Sequence, residues 1–260
     1  MPKLAVIILT KNEENNIEDA IVSASFADEI IVIDSGSTDK TQELVERQGA
    51  AFITHPMSDE GFAGQRNFAL TQTDADWVFY LDADERVMPE FIPKLKAIMN
   101  SGEKKAYCLE RKNVVFGQQM NYGVHRPDYS CRLYPRASIS WQGRIHEVVK
   151  TNLPYENIDN CLLHYTYTSW AKYFDKFNQY TSMAAREMAN VGKQISSTAI
   201  LGHTFGAFFK AYILKQGFRD GFLGFVMSFM AMTYTLTKYM KLKNIYRIKK
   251  LEGNGYDSAE

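Results

Sequence analysis

Two carboxylates one residue apart, Asp82 and Asp84, stand directly after an apolar run, Trp77 to Leu81, in the segment Asp82-Ala83-Asp84-Glu85. Where a buried strand emerges, such a pair can hold a hard cation such as Mg²⁺ or Mn²⁺. These ions take oxygen ligands and share them with substrate phosphates, and a cation there would neutralise charge growing on a departing diphosphate. Acidic loop ends are common, so the pair gains weight only from its company. A second apolar run, Ile30 to Ile33, ends in Asp34-Ser35-Gly36-Ser37-Thr38-Asp39. Ser37 or Thr38 can cap the helix that follows, with Asp39 in its first turn, while Asp34 at the strand terminus is placed to accept a nucleobase N–H. Thr10, Asn12 and Glu13 occupy the matching place after Leu4 to Leu9. Three strand ends thus deliver polar, mostly acidic groups to one edge.

The elements that must position these groups follow from the apolar pattern. Leu4 to Leu9, Ile30 to Ile33 and Trp77 to Leu81 are continuous apolar runs, with a shorter strand at Ala51 to Thr54. Asn15 to Phe26, Thr41 to Gln48 and Phe62 to Thr71 have helical length and spacing. Continuous rather than alternating strands imply burial on both faces, hence an α/β fold with a mostly parallel sheet covered by helices. Ligands of such sheets sit at the carboxyl ends of the strands.

From Lys105 to Tyr167 aromatics, Gly and Pro alternate with short extended runs, and from Ser169 the chain turns helical. Trp170, Tyr173, Phe174, Phe177, Thr181 and Ala184 define one helix face. Gly221 to Thr237 carries no charge and precedes Lys238, Lys241, Lys243, Arg247, Lys249 and Lys250. An apolar helix with a basic flank fits the interface of an anionic membrane; a buried helix with a solvated basic end, or a short span, are the alternatives. The expected organisation is a catalytic domain over 1–167, a helical membrane-surface region over 168–250 and a loose tail over 251–260.

Composition excludes several classes. Lys plus Arg and Asp plus Glu are both 30 in 260 residues, which leaves no overall electrostatic footprint for nucleic acid. No Gly-x-Gly-x-x-Gly follows the first strand, where Thr10-Lys11-Asn12-Glu13 stands instead, which disfavours a dinucleotide-dependent oxidoreductase. Cys108, Cys131 and Cys161 lie far apart, show neither metal-type spacing nor a disulfide framework, and fit a reducing compartment. The N-terminal apolar run is too short for an export signal, so the expected location is cytoplasmic, peripheral at the inner face of the membrane.

These motifs resemble family 2 glycosyltransferases of the GT-A fold. The run Ile31 to Asp39 and Asp82-Ala83-Asp84 carry the likeness. A finer similarity, to the lipopolysaccharide core β-1,4-glucosyltransferase branch, rests on Thr10 to Glu13, Gln65-Arg66-Asn67, Asp82 to Glu85 and Gly143-Arg144-Ile145-His146-Glu147. His164-Tyr165 and Lys215 to Gly221 extend it. The resemblance implies a nucleotide-sugar donor, UDP-glucose by preference, a divalent cation and a lipid-linked glycan acceptor. It implies that Thr10 and Glu13 line the nucleotide pocket, that Asp34 reads the base within the Asp34–Asp39 motif, that Arg66 approaches the phosphates, that Asp82 lies near ribose and metal, and that Asp84 coordinates the metal. Ser35 stands where many members of the wider family carry a second Asp.

An inverting transfer needs a base for the acceptor hydroxyl, across the sugar from the diphosphate. Glu147 is the first choice and Asp128 the second, with a surface ion pair to Arg144 as the plain alternative for Glu147. His146 would position the glutamate or contact a phosphate, or is equally a structural histidine; His164 would complete the metal site, although a lone histidine after a strand is more often structural. Arg132 and Arg136 would meet an anionic acceptor or the diphosphate, or stand as solvated charges. Other acceptors (polyprenyl phosphate, another cell-surface polymer, a protein) and a non-catalytic nucleotide-sugar-binding protein remain the competing readings.

Overall fold

The computed structural model describes residues 1–58, 61–143 and 147–253, with side chains through 251. In chain order the elements are β1 (Leu4–Thr10), α1 (Ile17–Ser23), β2 (Glu29–Asp34), α2 (Thr41–Arg47), β3 (Ala51–Thr54), α3 (Gly61–Leu70), β4 (Trp77–Asp82), β5 (Glu85–Val87), α4 (Phe91–Asn100) and β6 (Ala106–Val115). Then come β7 (Gln118–Gln119), β8 (Tyr129–Pro135), β9 (Ser140–Gln142), β10 (Val148–Lys150), β11 (Tyr155–Tyr167), α5 (Trp170–Asn190), α6 (Ser197–Phe209) and α7 (Gly221–Gly253). The chain forms two compact units, one of residues 1–112 and 128–166, the other of 113–127 and 167–260. Residues 113–127, expected within the catalytic domain, group with the helical region.

The main sheet of the first unit runs β3-β2-β1-β4-β8-β6-β11-β5. β3, β2, β1 and β4 are parallel, β8 and β6 continue antiparallel, and β5 pairs antiparallel with β11. β1 is buried on both faces because its alternate side chains enter different cores. Val6 and Ile8 pack with Ile17, Ile21, Val45 and Phe91, while Ile7 packs with Ala63, Ala69, Tyr80 and Trp141. That explains the unbroken apolar run. Register then fixes the strand ends: Thr10 lies beside Asp34 and Leu9 beside Asp82. Chain order reverses at β1, with β2 on one side and β4 on the other. The loops leaving β1 and β4 therefore diverge and leave a crevice at their carboxyl ends.

Cys108 and Cys131 correct the sequence reading: β6 and β8 place them opposite each other, and they form a disulfide. Spacing concealed the pair because the partners meet through strand register. Cys161 is buried and free, and burial pushes its thiol up to about 12.

In the second unit α5 and α6 both pack on α7. The buried face of α5 is Tyr173, Thr181 and Ala185, whereas Trp170 and Phe174 are exposed, so the aromatic face expected from Trp170 is only partly core. The basic flank of α7 is also not wholly solvated. Lys241 Nζ donates to Asn178, Thr181 and Ser182 of α5, and Lys243 Nζ to Ser197 of α6. No described helix is long and apolar enough to cross a membrane. Residues 251–253 end α7, and the rest of the expected tail lies outside the described residues.

Two-sided burial of β1 has a measurable consequence. Ile7→Ala and Ile8→Ala should each cost about 2–5 kcal/mol in urea unfolding; a near-neutral value for either would mean that one face is solvated.

Candidate functional site

The crevice at the β1 and β4 ends is a cavity of about 310 Å³. Thr10, Glu13, Arg66, Asp82, Asp84 and Glu147 all line it, so residues far apart in sequence converge. Asp34, Asp39, Asp128 and His164 do not line it. Ser35, Phe62 and Gln65 do, and sequence reasoning gave them no role there.

Asp34 is 2% exposed and is taken up by its own turn, accepting from Gly36 N, Ser37 N and the Ser37 hydroxyl. Asp39, rather than Ser37 or Thr38, prepares the start of α2. It accepts from Thr41 N and Thr41 Oγ1, and from Glu14 N across the gap. Burial opposes its charge, but these bonds hold the carboxyl below the usual range. Glu13 N donates to Thr41 Oγ1, Asn12 N to Ser37 Oγ and Thr38 N to Asn12 Oδ1. The loops after β1 and β2 are thus laced together, which satisfies backbone donors that two open loops would leave to water and holds Thr10 and Glu13 at the rim.

Beneath the rim lies a chain of alternating charges. Arg132, 4% exposed, grips the Asp82 carboxylate with both terminal nitrogens and donates to Glu85 Oε1 at 2.8 Å. Arg111 reaches the same Glu85 oxygen at 3.2 Å and holds Asp128 through Nε and Nη2 at 3.1 and 2.9 Å. Burial pushes the Asp82 carboxyl up, but the Arg132 guanidinium outweighs it and holds the group down at about 2. Burial dominates at Glu85, which is fully enclosed, and its carboxyl is raised. Arg132 was expected to meet a ligand or water; it is an internal counter-ion instead. Arg136 is likewise occupied at the opposite end of β4, donating to Ala75 O at 2.9 Å. Nothing in the sequence marks Arg111 or Arg132 as partners of Asp82 and Glu85, because strand pairing alone brings them together.

Asp84, two residues beyond the gripped Asp82, faces the cavity, and its Oδ2 lies 3.4 Å from His164 Nε2. The antiparallel pairing of His164 with Glu85, and a Tyr165 N to Asp84 O bond, set this approach. Also on the cavity, Arg66, 7% exposed, lies against two aromatic rings that meet edge to face, its guanidinium carbon 4.6 Å from the Trp141 ring centre and 5.2 Å from that of Tyr80. Tyr80 and Trp141 are bonded to one another and to the Arg66–Asn67 segment of α3. Arg66 Nη2 approaches Glu147 Oε1 at 3.5 Å, so Glu147 pairs with Arg66; Arg144 and His146 lie outside the described residues. Two buried polar atoms on this cavity, Thr10 Oγ1 and Arg66 Nε, have no hydrogen-bond partner among the described residues. Buried orphans of this kind cost free energy unless a ligand or water completes them.

The site thus combines a buried arginine, paired carboxylates and unsatisfied donors at the switch point of a GT-A type α/β sheet. Comparison with known proteins agrees. The family description "Glycosyl transferase family 2" matches residues 5–166, and the chain belongs to that family. It is 29% identical to an uncharacterized glycosyltransferase of Rickettsia bellii over 94% of this chain and 86% of that one. It is 28% identical to the lipopolysaccharide core biosynthesis glycosyltransferase LpsC of Rhizobium meliloti, over 96% of both chains. Among solved structures it is similar to residues 1–349 of S. aureus TarS, with a TM-score of 0.47 and 15% identity over 99% of this chain and 93% of that one.

Removing Arg132 should leave Asp82 and Glu85 facing each other with Arg111 on Glu85 and no paired arginine on Asp82. Arg132→Ala should cost about 3–5 kcal/mol at pH 7, the usual cost of breaking a buried pair. Because the Asp82 pKa is depressed in the fold, the stability it lends is present above the ordinary carboxyl range and lost as pH falls toward about 2. The gap between wild type and variant should therefore narrow steadily in unfolding curves below pH 4; a gap independent of pH would show that the pair does not carry it.

Proposed function

We propose that the protein is an inverting glycosyltransferase that moves a hexose, glucose from UDP-glucose, to a hydroxyl of a lipid-linked glycan such as lipopolysaccharide core. The carrying observation is the pair of buried, unpartnered polar atoms, Thr10 Oγ1 and Arg66 Nε, facing one acid-lined cavity. The near-full-length likeness to a lipopolysaccharide core transferase supports the acceptor class.

Among the described residues no three His, Cys, Asp or Glu side chains form a metal cluster. A divalent cation, Mg²⁺ or Mn²⁺, fits here as one that takes few protein oxygens and completes its shell with phosphate oxygens and water. Asp84, exposed to the cavity and beside His164, is the residue to hold it, and the cation would supply charge neutralisation to the diphosphate. Asp82, gripped by Arg132, fixes the β4 end and faces the ribose rather than giving both oxygens to metal. Thr10 and Glu13 bound the nucleoside, and Arg66 meets the phosphates. Asp34 and Asp39 act through the loops they organise.

Glu147 is the proton acceptor. As the acceptor oxygen bonds to the anomeric carbon, the bond from that carbon to the phosphate oxygen breaks and the nucleoside diphosphate departs with its electron pair. The hydroxyl proton passes to Glu147, and configuration inverts. Asp128 is less suited, because Arg111 holds both its oxygens and it does not line the cavity.

The protein is expected at the inner face of the cytoplasmic membrane. Phe205, Phe209, Phe218 and Phe222 stand exposed around the α6–α7 connection, which suits an interface. Glu147→Gln should bind the donor normally while turnover falls about 10²–10⁴-fold, and Asp84→Ala should lose turnover without a shift in thermal unfolding. Normal turnover by Glu147→Gln would move the base elsewhere, and normal turnover by Asp84→Ala would remove the metal reading.

A further inference from the structure

The helical unit holds a second, open cavity, of about 340 Å³, which shares no lining residue with the donor cleft. Tyr167, Tyr173, Met227 and Met230 form an apolar wall, and Ala207, Ala211 and Ala231 keep the space open. Its charged lining residues are Lys210 and Lys215, and no described carboxylate lines it. An apolar chamber with two ammonium groups and no acid is complementary to an anion joined to a hydrocarbon chain.

The two lysines are held by an unusual piece of chain. A π-helical turn, Lys210–Leu214, follows α6 and leads into a short 3-10 turn, Gly217–Asp220, before α7. Lys215 Nζ donates to Arg126 O at 3.0 Å, which leaves it further N–H groups, and Lys210 makes no ion pair or side-chain hydrogen bond among the described residues. The 3-10 turn lies so close to its neighbours that a Cβ on Gly217 would come within 2.8 Å of Ala211 O, and one on Gly224 within 1.9 Å of Gly217 O. Asp220, 7% exposed, accepts from Asn121 N and Tyr122 N, and Gly123 N donates to Lys215 O. The segment Lys215 to Gly221 thus ties residues 121–126 to the helices and fixes one cation at the cavity. From the end of α6 to the 3-10 turn, Phe209, Ile213, Leu214 and Phe218 are exposed, a combination that fits contact with lipid rather than with free phosphate.

We propose that this cavity binds one anionic membrane lipid, its phosphate between Lys210 and Lys215 and its chain along the tyrosine and methionine wall. The proposal deepens the membrane-surface reading above and stands apart from the transfer chemistry. Monomeric decyl phosphate, titrated calorimetrically into the full chain, should bind at one saturable site. Decyl maltoside and inorganic phosphate should each bind at least tenfold more weakly. Ala231→Phe, which fills the chamber, and the double variant Lys210→Gln with Lys215→Gln should each weaken decyl phosphate at least tenfold while UDP binding stays unchanged. Equal binding of decyl maltoside would reduce the site to a greasy surface, and equal binding of inorganic phosphate would make it a phosphate site; either overturns the proposal. So would undiminished binding by the double-lysine variant, which keeps the proposal testable if Ala231→Phe misfolds. A wild type that binds decyl phosphate but no nucleotide would sink the donor-site reading and leave this one standing.

Discussion

Arg132 holds the centre of this structure. Its guanidinium joins the Asp82 and Glu85 carboxylates under the β4 end, and Arg111 extends the chain to Asp128. Three acids gathered near one strand end, Glu85 fully enclosed, would repel one another and take up protons. Two arginines let Asp82 stay ionised, at a pKa of about 2, despite burial. Burial of such pairs is expensive, so the arrangement is better understood as fixing geometry than as adding stability. It pins the loop from which Asp84, outside the grip of Arg132, reaches the cavity.

Topology supplies the rest of the site. The reversal of strand order at β1 opens the crevice, and the exact pairing of Thr10 with Asp34 and Leu9 with Asp82 brings the strand ends level. Asp39, Thr41, Ser37 and Asn12 bind the first two loops to each other, so the rim is held by hydrogen bonds on one side and by ions on the other. Between them Arg66 rests on Tyr80 and Trp141 with one nitrogen unsatisfied. A site held open in this way spends little on reorganisation when an anion arrives.

Much of the fold was legible because period and burial are local signals. The runs at Leu4, Ile30 and Trp77 had to be two-sided strands, and each emerged within a residue or two of its expected bounds. The convergence of Thr10, Glu13, Arg66, Asp82, Asp84 and Glu147 followed from the strand-end rule and the family likeness. What stayed hidden depends on register between antiparallel strands. The Cys108–Cys131 disulfide, the Arg132 and Arg111 counter-ions and the approach of His164 to Asp84 all arise from β4, β5, β6, β8 and β11, whose pairing no local pattern states. Asp34 and Asp39 were visible as acids, but whether a strand-end carboxylate faces a ligand or its own turn depends on backbone donors within reach. The grouping of residues 113–127 with the helices was equally invisible, since Asp220 makes that link from a hundred residues away in round terms.

The central claim is that Asp84, held apart from the ion-paired Asp82, lets this cleft grip a nucleoside diphosphate through a divalent cation. Calorimetric titration of UDP into the protein, with Mn²⁺ and then with chelator, measures it directly. The account predicts a single site at least tenfold tighter with Mn²⁺, and an Asp84→Asn protein in which the metal makes no difference. Equal affinity with and without metal, or a metal effect that survives the loss of Asp84, would contradict it.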